Sequence, residues 1–127
     1  MIVALYRMPH ILLVDEKTSL LSLLRQDLER NGYQVTVAFD PLAALDAIRK
    51  KSIDAVVADL CMPGMNGEEL LPQLRHYRPA LLGILVSGYT RNFTWDMDSQ
   101  TRLLSKPIGG HELVRSIEDM LDIRLAA

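Results

Sequence analysis

Three short apolar runs, each closed by a polar residue, constrain the fold of this chain more than any other feature. Ile11-Leu12-Leu13-Val14 ends at Asp15, Ala55-Val56-Val57-Ala58 at Asp59, and Ile84-Leu85-Val86 at Ser87. Continuous runs of this length suit strands buried on both faces, as in a parallel sheet packed between helices. Gln34 to Ala38 alternates instead, with Val35 and Val37 on one side, and predicts an edge strand. Leu103-Leu104, just before Lys106, is the fifth and weakest strand candidate.

Helical patterns fill the intervals. Leu20, Leu21, Leu24 and Leu28 recur at helical spacing, and Asn31-Gly32 supplies a stop. Asp40-Pro41 is a cap followed by a first-turn proline, opening a helix through Leu42, Leu45 and Ile48. Asn66 with Glu69 three residues on resembles a capping box for a helix through Leu70 and Leu74, which Pro72 is expected to bend or loosen. Leu113, Ile117 and Leu121 mark the last helix. The interval Arg91 to Gln100 lacks an apolar stripe and is expected to hold a short helix or an irregular loop. Alternation of strand and helix predicts an α/β fold with a mostly parallel sheet.

Composition sets the outer limits. The chain has 127 residues, about half of them apolar, which fits one domain with one core. A net charge of −2, without blocks of like charge, gives no general pull toward nucleic acid or membrane. No apolar run reaches the ~20 residues of a membrane span. Cys61 is the only cysteine, which rules out an internal disulfide and a cysteine zinc cluster and suits a reducing compartment, so a cytoplasmic location is expected. Met1 to Met8 is rather apolar but lacks a basic leader and a cleavage site, and reads as a short extension.

Open α/β sheets build their sites at the carboxyl ends of the strands. Asp15 and Glu16 close the first strand, Asp59 the third and Ser87 the fourth, while Lys106 follows the fifth. Clustered carboxylates repel unless a cation sits among them, and oxygen ligands of this kind suit Mg²⁺. Lys106 adds a compact positive charge and Ser87 a hydroxyl. Such a set can hold a phosphoryl group in transit, with one carboxylate as nucleophile. Spacing alone does not select which carboxylate.

Four segments in this order resemble the response-regulator receiver domain: Ile11 to Glu16, Asp59-Leu60-Cys61-Met62-Pro63-Gly64-Met65-Asn66-Gly67, Val86-Ser87-Gly88, and Lys106-Pro107-Ile108. The segment from Asp59 to Gly67 is the most specific, and the match runs over about residues 10 to 123. The resemblance implies an extension at 1–9 and a receiver domain at 10–124, with a single flavodoxin-like, doubly wound, five-stranded parallel sheet of order 2-1-3-4-5. It implies Asp59 as phosphoacceptor, and Asp15, Glu16, Asp59 and the backbone carbonyl of Cys61 as ligands of Mg²⁺. Lys106 would bind a phosphoryl oxygen, Ser87 would be the switch hydroxyl, and the bond before Pro107 would be cis. The implied activity is that of a two-component signalling switch, which catalyses only its own phosphorylation and dephosphorylation. Its expected partner is a sensor histidine kinase or phosphotransfer protein, with a homodimer possible and no direct nucleic-acid or membrane binding.

The sequence departs from the family pattern in three places. Glu16 replaces the commoner aspartate and moves the carboxylate by one methylene. Leu103 stands where many receivers carry an aromatic that swings inward with the switch hydroxyl. The stretch between Ser87 and Lys106 is short for the family. These departures motivate an alternative reading, a pseudo-receiver that binds protein independently of phosphorylation. A phosphate-ester hydrolase could use the same carboxylates, but no substrate-pocket motif accompanies them. Phe93 and Trp95, two aromatics in a polar stretch, either cover the sheet edge or form a docking patch. His10, His76 and His111 have no metal-ligand spacing.

Overall fold

The computed structural model describes residues 8–16, 18–62, 64–88 and 94–126. Its chain order is β1 (His10–Val14), α1 (Thr18–Arg30), β2 (Gln34–Ala38), α2 (Pro41–Lys50), β3 (Ala55–Asp59), α3 (Gly67–Tyr77), β4 (Leu82–Ser87), β5 (Thr94–Asp98), β6 (Thr101–Ser105) and α4 (Gly110–Ala126). The sheet order is β2-β1-β3-β4-β6-β5. All neighbours pair in parallel except β5 and β6, which are antiparallel.

The five parallel strands therefore have the flavodoxin-like order 2-1-3-4-5, with β6 in fifth place. The sixth strand corrects the expectation for Arg91 to Gln100. Residues 94–98 form neither a short helix nor a loop but an antiparallel edge strand. The sequence Thr-Trp-Asp-Met-Asp pairs a β-branched residue with an aromatic, and pairing with β6 supplies what an isolated pentamer lacks. The pairing slips between Asp96 and Asp98, a bulge typical of sheet edges. Phe93 lies outside the described residues. Trp95 stands opposite Leu103 in the register.

The alternation of buried strand residues divides the core in two. Ile11, Leu13, Val57, Ile84 and Leu104 face one way and pack against Leu24 and Leu28 of α1 and Leu113 and Ile117 of α4. Leu12, Val14, Val56, Leu85 and Leu103 face the other way, against Ile48 of α2 and Leu70 and Leu74 of α3. β1, β3 and β4 are buried on both faces, as continuous apolar runs require. α2 buries Ala44, Ala47 and Ile48. Leu42, the first leucine of its expected stripe, is 77% exposed.

Local signals set the helix ends. Asp40 accepts a bond from the Ala43 N–H, with Pro41 opening α2. Asn66 caps α3 by accepting from the Glu69 N–H. Pro72 lies inside α3 at an exposed position, and the helix continues past it to Tyr77. Gly32, at φ +90°, ends α1 where only glycine enters the left-handed region without strain.

Candidate functional site

The carboxyl ends of β1, β3, β4 and β6 meet at one edge of the sheet. Val14 pairs with Ala58, Asp59 with Val86, and Ser87 with Ser105. The register thus places Asp15, Asp59, Ser87 and Lys106 within one strand-end layer. Main-chain bonds fix the layer: Asp15 N–H donates to the Ala38 carbonyl, Leu60 N–H to Val86, and Lys106 N–H to Ser87 at 2.8 Å. The Lys106–Pro107 peptide bond is cis.

Asp59 is the centre of the site. Its carboxyl is nearly buried, and its two oxygens have different partners. Oδ1 accepts from the Cys61 N–H at 3.0 Å, whereas Oδ2 accepts from the Lys106 ammonium in a short charge-assisted contact. Asp15, also buried, lines the same small cavity as Asp59 and Lys106, beneath which lie Val14, Val57 and Ile108. Lys106 is bonded to Asp59 and lines the same cavity as Asp15, so two buried carboxylates and one ammonium meet at this edge. Ser87 is fully buried at the end of β4. Glu16 is exposed, and no three His, Cys, Asp or Glu side chains gather to hold a metal among the described residues.

The donor set still fits Mg²⁺, which commonly takes only one or two carboxylates and keeps several waters. Asp15 and Asp59 would supply the carboxylates, with the Cys61 carbonyl as a further hard oxygen.

Two further residues escaped sequence reasoning, Gly67 at the site and Arg75 at the opposite edge of the sheet. Gly67, the first residue of α3, lies so close to the end of β3 that a Cβ would sit 2.8 Å from the Asp59 carbonyl and 2.9 Å from Leu85 Cδ2. The only sequence signal was a glycine directly after a cap residue. Arg75, further along α3, donates through Nε to the Leu81 carbonyl, through Nη1 to Thr101 Oγ1 and through Nη2 to the Gln100 carbonyl. Burial lowers its affinity for the proton, and the charge of Asp98 partly offsets this. Arg75 thereby pins the turn between β5 and β6 to α3, and nothing in its local sequence announced that.

Sequence and fold comparison now give this arrangement a family. The response regulator receiver domain model matches residues 11–118, and the chain belongs to that family of two-component signalling switches. It is 29% identical to the response regulator receiver protein CpdR of Brucella abortus, over 90% of this chain and 98% of that protein. It is also 29% identical to the transcriptional regulatory protein GlrR of Escherichia coli K12, over 89% of this chain, but spans only 26% of that protein's length. Among solved structures, a CheY-like receiver domain protein from Methanospirillum hungatei matches with TM-score 0.79 and 25% identity, covering 95% of this chain and all of that one. The response regulator TrrA of Thermotoga maritima, in complex with Mg²⁺-BeF, matches with TM-score 0.74 and 26% identity, covering 89% of this chain and 99% of that one. No helix among the described residues is long and apolar enough to cross a membrane.

Proposed function

We propose that Asp59 accepts a phosphoryl group from the phosphohistidine of a sensor kinase or phosphotransfer protein. The observation that carries this reading is the contact of Lys106 with Asp59 in a strand-end site that also buries Asp15. In the step, a carboxylate oxygen of Asp59 forms a bond to phosphorus. The phosphorus–nitrogen bond breaks, and its electron pair leaves with the imidazole. Lys106 gives up the Asp59 oxygen and follows the negative charge onto a phosphoryl oxygen. The Ser87 hydroxyl donates to another phosphoryl oxygen. The Cys61 N–H keeps the carboxyl oriented throughout.

Bound Mg²⁺ would neutralise charge on the phosphoryl oxygens. Asp15, Asp59 and the Cys61 carbonyl would hold it, with Glu16 at the solvent side. The state of TrrA bound to Mg²⁺-BeF supports this assignment by family likeness.

Phosphorylation adds about two negative charges to a site already rich in them. That change would bias the surface of β5, β6 and α4, where the hairpin replaces the usual fourth helix.

Mass spectrometry of the protein with Mg²⁺ and acetyl phosphate, beside Asp59→Asn, tests the reading. A gain of one phosphoryl mass in the wild type alone supports it. A gain in Asp59→Asn moves the site elsewhere. One observation favours a second reading: strand β5 and Leu103 occupy the region that normally switches. If neither protein gains mass while both stay folded, the chain is a pseudo-receiver that binds partners without phosphorylation.

A further inference from the structure

Helix α2 carries two stripes where a surface helix needs one. Ala44, Ala47 and Ile48 face the core. Leu42, Leu45, Asp46 and Arg49, again at helical spacing, instead line an open groove of about 430 Å³ against His76 and Tyr77 of α3. Leu42 and Tyr77, which line it, are two of the six large exposed hydrophobics among the described residues. None of the phosphorylation-site residues lines the groove.

The groove is ordered. The Tyr77 ring stands edge-on to His76, with ring centroids 5.2 Å apart, and the Arg49 guanidinium lies 5.9 Å from its centroid. Held side chains lose little freedom when a partner arrives. Basic residues gather at the carboxyl ends of the two helices, where Arg49 lines the groove. Arg49, Lys50, Lys51 and Arg78 lie at or just past the ends of α2 and α3, in a chain whose net charge is −2. Asp46 is paired with Lys50, and Asp54 is the other carboxylate near this end, so the four cations leave it with net positive charge. Arg78 Nε is buried without a hydrogen-bond partner, while its Nη2 donates to the Lys51 carbonyl.

We propose that the α2–α3 groove docks an acidic amphipathic helix of a partner protein. Two parallel ridges some three turns long form a trough that a third helix fills by ridge-into-groove packing. Apolar side chains of that helix would cover Leu42, Leu45 and Tyr77. Its carboxylates would meet Arg49, Lys51 and Arg78, where complementarity fixes orientation as well as affinity. The proposal does not depend on the phosphorylation of Asp59.

The test is an amide NMR titration of the full chain with two synthetic helical peptides of about three turns. One has leucine at helical spacing and glutamate elsewhere, and the other replaces each glutamate with lysine. The expected result is a saturable shift confined to residues 39–51 and 73–79 with the glutamate peptide, and none with the lysine peptide. Leu42→Ser combined with Arg49→Glu is expected to weaken binding roughly tenfold or more. Leu42 is mostly solvent-exposed, so an unchanged unfolding midpoint is expected to show that this variant keeps its fold. Equal response to both peptides, or no response at millimolar peptide, overturns the proposal. Broadening of the same amides by anionic lipid vesicles without a peptide response also overturns it, and makes the patch a membrane surface.

Discussion

Lys106 and Asp59, 47 residues apart in sequence, meet as an ammonium and a carboxylate at the ends of β6 and β3. Asp15, also buried, lines the same cavity as both. Lys106→Ala leaves the buried Asp59 carboxylate without its cation. The variant is expected to lose about 2 kcal/mol of stability, the range for breaking a charge-assisted bond at a partly buried site. Urea unfolding checks it. Millimolar Mg²⁺ is expected to raise the Lys106→Ala midpoint more than that of the wild type, since the ion replaces the missing charge.

Asp59→Asn removes a negative charge from the same cluster and keeps the shape of the side chain. Its amide oxygen can still accept from Lys106, although the NH2 then faces the Cys61 N–H without a bond, and one negative charge beside Asp15 is gone. It is expected to unfold within about 1 kcal/mol of the wild type, despite losing one charged partner. Its midpoint is expected to respond less to Mg²⁺. A loss as large as that of Lys106→Ala would show that the pair, and not repulsion between carboxylates, governs stability here.

Gly67→Ala tests the seat of the proposed nucleophile. The added methyl meets both the Asp59 carbonyl and Leu85, and main chain at the end of a central strand does not yield cheaply. A loss of about 2 kcal/mol is expected. Acetyl phosphate labelling of the folded variant is expected to slow as well, because the methyl pushes on the residue that carries the reacting carboxylate. Normal labelling with reduced stability would mean that α3 shifts away and leaves the Asp59 carboxyl in place.

Much of this was legible in the sequence, because β1, β3 and β4 must be hydrophobic throughout. Asp15, Asp59 and Ser87 could be found as candidates for the same reason: a strand buried on both faces ends abruptly, and the first polar residue marks the edge where ligands bind, while only the family resemblance singled out Asp59. β5 was illegible because Asp96 and Asp98 argue against a strand, and only the tertiary partner β6 makes one. Leu42 misled in the opposite direction. Its spacing matched a core stripe, yet the core is served by Ala44, Ala47 and Ile48 one face around. Spacing alone cannot tell two apolar stripes of one helix apart. Nor does any local pattern mark Arg75, whose partners lie between 6 and 26 residues away.

Arg75 gives the last prediction. Its three bonds join α3 to the start of β4 and to the turn of the β5–β6 hairpin. Arg75→Met keeps much of the apolar stem and leaves the Leu81 and Gln100 carbonyls without these donors. Arg75→Lys keeps the charge but offers a point donor where a planar fork is needed. Both are expected to destabilise, Met by about 2 kcal/mol and Lys by somewhat less. The informative measurement is hydrogen exchange. If Arg75 holds the hairpin, amides of 94–101 are expected to exchange faster in both variants, while those of β3, at the sheet centre, keep their protection. Uniform acceleration across the sheet would mean that Arg75 supports global stability only, and that the hairpin is held by its pairing with β6.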